Sequence, residues 1–347
     1  MFLSAGALAL LLLRGQAVAA GVRQGLSSLG LALIPALFPF LILSEWLTQS
    51  GAGEALTRPF CGLLARATGL SRAAASVFLL GLVCGTPVGC LGAAALWRSG
   101  AISREDRERL LLFSNNPGVG FMAGVAGRVC GDVRLGLALW ALVTLAALTA
   151  CILSRFLYGK AAQSENIPRN GAENARFDLP VCIGAATTNM VRIAGFYLAG
   201  SALLGGLNDL LKKLPPLACA GAKGLLELSA GVLAAGALTP RAAFLCCAFL
   251  SGFAGLTIGL QLRSLAGEAA PPLPLYLAAR LFVGALTLLF ARAFLLFAAI
   301  PQRAAAPAFS DLANKSGTSF LPLWPLALLL LLYILTRRTR QRRSRQK

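Results

Sequence analysis

Two glycine-containing breaks interrupt apolar stretches of the chain: Cys84-Gly85-Thr86-Pro87-Val88-Gly89 and Ser114-Asn115-Asn116-Pro117-Gly118-Val119-Gly120. A helix that is broken at membrane depth exposes backbone N–H and C=O groups that hydrocarbon cannot satisfy. Such breaks persist only where protein, water or a bound solute covers them. The sequence therefore predicts a polar site inside a membrane protein.

The composition also indicates a membrane protein. Of the 347 residues, 57% are hydrophobic and 13% are charged, whereas soluble domains carry roughly 25% charged residues. We predict an all-α polytopic protein of the cell membrane. The chain has no His, which removes the usual general base and the Ser-His and Cys-His nucleophile pairs. We therefore expect no enzymatic activity and no cofactor.

The nine cysteines show no CxxC spacing and lie mostly among apolar residues. This pattern indicates neither a zinc site nor a disulfide framework. We interpret the cysteines as small apolar packing residues.

The C-terminal end is strongly basic. Seven Lys and Arg residues occupy the last eleven positions, after the apolar run from Leu321 to Leu335. A basic cluster that follows a membrane span keeps that end in the cytoplasm. We expect a last transmembrane helix and a cytoplasmic tail within 301–347. Nucleic acid is not an expected partner, because no aromatic or folded basic platform accompanies the charge.

Composition divides the rest of the chain into three parts. Residues 1–156 form a first transmembrane repeat, 157–180 a polar linker of mixed charge, and 181–300 a second transmembrane repeat. The start of the first repeat has two interpretations, because residues 1–20 are either a retained first helix or a cleaved signal peptide.

The two repeats show the same order of features. Each has a long span, a glycine-containing break with a polar residue, a capped helix and a second glycine-rich break. Ser103 corresponds to Thr239 as the cap, and the break at 115–118 corresponds to the one at 251–255. Matched interruptions in two halves are typical of transporters whose site lies at the repeat interface. We predict two structural repeats with broken or re-entrant helices.

Glu227 is the strongest single candidate site residue. It stands inside an apolar run, where an ionisable group costs several kcal/mol unless it is paired or hydrated. It would couple transport to H+ or Na+, or hold a backbone break through N–H groups. The alternative is an interface position near a helix end.

Other candidates surround the breaks. Asn115, Asn116 and Gly118 offer amides and freed backbone, and the helix that resumes at Val119 points its positive end at the break, which favours an anion. The alternative is a plain turn between helices. The remaining candidate binding residues are Thr86 and Gly89 in the first repeat and Ser229, Thr257, Gln261 and Arg280 in the second.

These second-repeat residues also have simpler interpretations. Thr257 and Gln261 lie on one helical face, where they would bind solute or hold helices together. Arg280 would neutralise an anionic substrate or pair with Glu227, or it would extend to the membrane surface.

Five motifs in collinear order resemble a known family: Pro35-Ala36-Leu37-Phe38-Pro39-Phe40-Leu41-Ile42-Leu43-Ser44, Gly85-Thr86-Pro87-Val88-Gly89, Phe113-Ser114-Asn115-Asn116-Pro117-Gly118, Leu226-Glu227-Leu228-Ser229-Ala230-Gly231 and Gly252-Phe253-Ala254-Gly255-Leu256-Thr257-Ile258-Gly259-Leu260-Gln261. Together they resemble the sporulation integral membrane proteins of YlbJ type, which carry nucleoside-recognition Gate domains. The chain departs from that pattern at Thr86, where Tyr is usual, and at Gly259, where His is frequent.

The resemblance implies an architecture similar to concentrative nucleoside transporters and a place in a mother-cell-derived membrane around the forespore. It also implies a role in late spore maturation and the movement of dipicolinate, a small aromatic dianion.

The expected function is that of a carrier that moves a small anionic solute across a spore-related membrane by alternating access. The alternatives are a non-transporting membrane scaffold for spore-envelope or cortex assembly, a nucleoside-type transporter and, third, an enzyme that acts on lipid-linked substrates. The sequence leaves open the coupling ion, Na+ or H+, and whether the protein forms a homo-oligomer.

Overall fold

The computed structural model describes residues 13–50, 52–158 and 178–298. The apolar run before residue 13, most of the polar linker and the proposed last helix with its basic tail lie outside these ranges. The described helices are α1 (Gly15–Ser28), α2 (Ile34–Gln49), α3 (Ala52–Thr68), α4 (Arg72–Cys84), α5 (Val88–Arg98), α6 (Arg104–Phe113), α7 (Val119–Val129), α8 (Val133–Tyr158), α9 (Leu179–Gly206), α10 (Asn208–Leu211), α11 (Pro216–Leu226), α12 (Leu228–Ala235), α13 (Pro240–Phe253), α14 (Leu256–Ala266) and α15 (Leu273–Phe297).

Five of the described helical segments are long and apolar enough to cross a membrane: Gly15–Leu47, Val133–Tyr158, Leu179–Gly206, Pro240–Ala269 and Leu273–Phe297. A bilayer core of about 30 Å needs roughly 20 apolar helical residues, and each segment has at least 25. The bent pair α3 and α4 makes a sixth if it is one span. The described residues contain no strand. The prediction of an all-α polytopic membrane protein is confirmed.

The first span runs from Gly15 to Leu47. A π-helical turn, Leu29–Leu33, joins α1 to α2. Pro35, two residues after the end of this turn, has no N–H to donate to the helix. The two prolines therefore do not end the span, and α2 continues through Pro39.

Helices α4 and α5 form the hairpin that the first glycine-containing break predicts. The chain reverses at Gly85, Thr86 and Pro87, and the two helices pack against each other. Gly85 has φ +77°, and a Cβ there would lie 2.5 Å from the Cα of Gly118. Only glycine fits both this backbone conformation and this approach. The first break therefore touches the second.

The second half contains a matching hairpin of α11 and α12, which reverses at Glu227. Its arms are close enough that a Cβ on Gly231 would lie 2.2 Å from the Cα of Gly224. The Glu227 side chain caps α12, because one carboxylate oxygen accepts the N–H of Ala230 at 2.6 Å. This contact agrees with one of the interpretations that the sequence left open, a carboxylate that holds a backbone break through an N–H group.

A broken helix follows each hairpin. In the first half, α6 ends at Phe113 and α7 resumes at Val119. In the second half, α13 continues through Ser251 and Gly252 and breaks only at Ala254 and Gly255. This break is narrower than the sequence predicted, since Phe253 is still helical.

The two predicted caps behave differently. The Ser103 side chain accepts the N–H of Asp106 at 3.2 Å, so the predicted cap of α6 is confirmed. Thr239 occupies the corresponding position before α13, but its side chain makes no capping bond. The predicted position of the cap is therefore confirmed without the side-chain bond, and Pro240 begins the helix with a favourable φ.

The halves pack reciprocally. The second arm of the first hairpin, α5, packs against α14 of the second half, and α12 of the second hairpin packs against α7 of the first. In the same way α8 packs against α13, and α15 packs against α6. This exchange is what two repeats facing each other would produce. The repeat relation itself stays a prediction.

Two buried charges hold the 106° bend between α3 and α4. Asp106 accepts the N–H of Ser71 at 3.0 Å, at the start of α4. Arg109, one turn later on α6, donates to the carbonyl of Thr68 at the end of α3 and to Ser154 Oγ at 2.9 Å. The helix before the second break thus fixes the bend that leads into the first hairpin.

Gly85→Ala should destabilise the protein more than Gly100→Ala. Both glycines have positive φ, but nothing lies within 4 Å of a Cβ at Gly100. Each variant loses the conformational freedom of glycine, and the clash adds roughly 1–3 kcal/mol at Gly85 alone. Thermal unfolding of the purified variants in detergent measures the difference. Equal melting temperatures would contradict the close approach of the two breaks.

Candidate functional site

A pocket opens between the two halves, at the breaks. It is partly open to the outside and has both polar and apolar lining residues. Its lining residues are Leu33, Leu37, Phe40, Leu41, Cys84, Thr86, Pro117, Gly118, Gly120, Phe121, Ile193, Phe196, Tyr197, Glu227, Leu228, Ser229, Thr257, Ile258 and Gln261. Both halves therefore contribute to one site, as the sequence predicted.

Six of the ten predicted binding residues line this pocket: Thr86, Gly118, Glu227, Ser229, Thr257 and Gln261. The Glu227 side chain is 4% exposed and belongs to the hairpin tip. Thr257 lies beside it, since a Cβ on Gly200 would lie 3.0 Å from both the Glu227 Cγ and the Thr257 Cγ2. The Thr257 hydroxyl has no hydrogen-bond partner among the described residues. These groups form the polar side of the pocket.

Three helices begin at residues of the pocket wall. They are α7 after Gly118, α12 after Glu227 and α14 just before Thr257. A helix N-terminus carries roughly half a positive elementary charge, while α4 brings a C-terminus to the wall at Cys84. The Glu227 carboxylate already caps α12. The N-termini of α7 and α14 are the other two. Their partial positive charge favours a solute oxygen that is negatively charged or belongs to a carbonyl group.

Asn116 and Arg280 do not line the pocket but lie together behind its wall. The Arg280 Nη1 donates to Asn116 Oδ1 at 3.0 Å, and both residues are buried. The Asn116 amide nitrogen donates to the carbonyl of Phe113 at 2.9 Å, and its own carbonyl accepts the N–H of Thr86 at 3.0 Å. Arg280 thus pairs with Asn116, where the sequence suggested a substrate or Glu227.

Asn115 and Gly89 also lie outside the pocket. The Asn115 amide nitrogen donates to the carbonyl of Leu111 at 3.1 Å, and its Oδ1 has no partner among the described residues. A Cβ on Gly89 would lie 2.7 Å from Ser114 Oγ, so this glycine allows α5 to pack against the second break. These positions support the pocket from behind.

The apolar side of the pocket was missed by sequence reasoning. It includes four aromatic residues: Phe40, Phe121, Phe196 and Tyr197. Phe40 belongs to the proline-containing motif of α2, but Phe196 and Tyr197 lie in α9 with no local break to mark them. In an apolar span, an aromatic residue that faces a pocket has the same sequence signal as one that faces lipid. Only the packing of α2 and α9 distinguishes them.

The nine cysteines are free thiols, and all but Cys84 and Cys219 are buried, in keeping with packing residues. No group of three His, Cys, Asp or Glu side chains that could hold a metal ion occurs in the described part of the chain.

Comparison of the chain with protein-family models, curated proteins and solved structures gives no match. The residues and geometry of the pocket are therefore the basis for its function.

Asn116→Ala should destabilise the protein clearly more than Asn115→Ala. The first change leaves one more donor of the buried Arg280 guanidinium unsatisfied, which costs about 3 kcal/mol. The second removes a neutral hydrogen bond worth about 1 kcal/mol. Melting temperatures in detergent provide the measurement, and a larger effect at Asn115 would contradict the assigned contacts.

Proposed function

We propose that the protein is a multi-pass membrane carrier that moves a small aromatic anion through the pocket between its halves. The observation that carries the proposal is the pocket itself, in which hairpin tips and broken helices of both halves meet. Broken helices that surround a central cavity are typical of transporters that work by alternating access. Rocking of one half against the other would expose the pocket to each side in turn.

The lining of the pocket supports an aromatic solute. Four aromatic side chains face hydroxyl, amide and carboxylate groups, a combination that orients a flat ring with polar substituents. The free N-termini of α7 and α14 support an anion. Dipicolinate and a place in sporulation are proposed from the five motifs that resemble the YlbJ-type family.

A nucleoside-type solute is the second candidate. The lining residues include one carboxylate, Glu227, and no Lys or Arg. A lone carboxylate repels a dianion, so a dianion would need Glu227 to bind a proton or Na+ at the same time. An uncharged solute with hydroxyl groups would instead donate hydrogen bonds to the carboxylate.

Reconstituted vesicles test the carrier function. Purified protein should take up labelled dipicolinate faster than protein-free vesicles do, and labelled uridine tests the second candidate. Thr257→Val should reduce solute affinity up to about tenfold, because it removes a hydroxyl from the pocket wall. Thr187→Val is the matched control, since Thr187 is exposed and its hydroxyl bonds its own helix at Ile183. Uptake equal to that of empty vesicles for both solutes would leave the membrane scaffold as the better proposal.

Glu227→Gln separates the two solute classes by the sign of its effect. Glutamine keeps an oxygen that can cap α12 but removes the negative charge. In Na+-free buffer, where no bound Na+ is lost with the carboxylate, binding of a dianion should therefore strengthen by about tenfold or more, whereas an uncharged solute that donates to the carboxylate should bind about tenfold more weakly. Equilibrium binding to purified protein measures this without transport, and unchanged affinity for both would exclude Glu227 from the site.

A further inference from the structure

One side of the Arg280 guanidinium makes no hydrogen bond with the described residues. Nη1 donates to Asn116, but Nε and Nη2 have no partner among the described residues, although the residue is fully buried. These two nitrogens form one side of the planar group, the side that binds an anion with two parallel N–H bonds. The orientation that Asn116 imposes leaves this side free.

Tyr276 supplies a further donor on the same face of α15. It lies one turn before Arg280 on α15, so that both side chains extend from one helical face. The Tyr276 residue is 1% exposed, and its hydroxyl also has no partner in the described part of the chain. Three buried N–H and O–H groups are thus available, with no acceptor for them.

Arg280 also lacks a charged partner within the described part of the chain. Among the described ionisable groups, the one that acts electrostatically on it is the Tyr276 phenol, which carries no charge at neutral pH. Arg109, the other fully buried arginine, is different: it donates to Ser154 and to the carbonyls of Thr68 and Cys151 and lies near Asp106. An isolated buried cation costs several kcal/mol. A bound anion is the group that would offset this cost.

We propose that Tyr276 and Arg280 bind a small inorganic anion of the halide class, at a site separate from the solute pocket. Neither residue lines the pocket. The Tyr276 ring is closely packed, since a Cβ on Gly259 would lie 2.9 Å from its Cε1, and this favours a small ion over an organic acid. The inference stands on these contacts and does not depend on transport.

The anion would influence the pocket through Asn116. It would hold the Arg280 guanidinium, which holds the Asn116 side chain, and the Asn116 carbonyl bonds the N–H of Thr86 in the pocket wall. Halide binding would therefore order the contact between the two breaks.

The test uses the purified full-length protein in detergent, with chloride replaced by gluconate at constant ionic strength. The melting temperature should rise with chloride concentration to saturation, and the ³⁵Cl NMR line should broaden in the presence of protein. Arg280→Gln should abolish both effects, and Tyr276→Phe should weaken the apparent chloride affinity roughly tenfold, because it removes one of three donors while keeping the ring. Arg292→Gln is the matched control, since Arg292 lies on the same helix and is exposed.

Three outcomes would overturn the proposal. The wild-type protein would show no saturable response to chloride, the response would persist in Arg280→Gln, or the response would be the same in Tyr276→Phe as in the wild type. If Arg280→Gln does not fold, the wild-type titration and Tyr276→Phe still decide. Displacement of chloride by dipicolinate or uridine would also contradict a separate site. Solute binding in the pocket is measured independently, so failure of either proposal leaves the other standing.

Discussion

The arrangement of the site depends on the hydrogen bonds of one residue, Asn116. Its carbonyl bonds the first hairpin at Thr86, its amide nitrogen bonds the end of α6 at Phe113, and its Oδ1 bonds Arg280 of the second half. An asparagine carries all these groups within one short side chain and its peptide unit. Because the contact is buried, water cannot replace a lost bond. The three hydrogen bonds of Asn116 therefore hold both first-half breaks in place relative to α15.

Close backbone contacts let the breaks exist at membrane depth. The turn at Gly85 approaches Gly118 closely enough that no side chain fits between them, and Gly255 lies against the N–H of Leu228 and the carbonyl of Gly224. Each break in one helix is thus covered by backbone from another. The same requirement, that freed N–H and C=O groups find protein partners in hydrocarbon, explains why glycine occurs at the reversal and at the surface it touches.

The sequence predicted where the helices break better than it predicted which way the side chains at the breaks point. Breaks at Gly85, at Asn116 and at Glu227 were visible because glycine, proline and buried polar residues interrupt apolar runs, and six of ten candidate residues reach the pocket. The asparagines turn away from it, because their amides satisfy carbonyls at the end of α6 that α6 itself leaves unpaired. Local sequence does not show which side chain will bond the unpaired carbonyls at a helix end. The roles of Asp106 and Arg109 were hidden for the same reason, since their partners lie about 35 to 45 residues away in the chain.

The packing between the halves restricts how they can move. Because α5 packs on α14 and α12 packs on α7, each hairpin rests against the broken helix of the other half. The halves cannot separate without exposing all these breaks to lipid, which costs several kcal/mol for each unsatisfied backbone group. Among the polar side-chain bonds that join the halves in the described part of the chain are Asn116 to Arg280, and Glu45 to Asn189 at 2.8 Å. In the proposed carrier, a motion that keeps the apolar contacts while exchanging such polar ones would open the pocket to one side at a time.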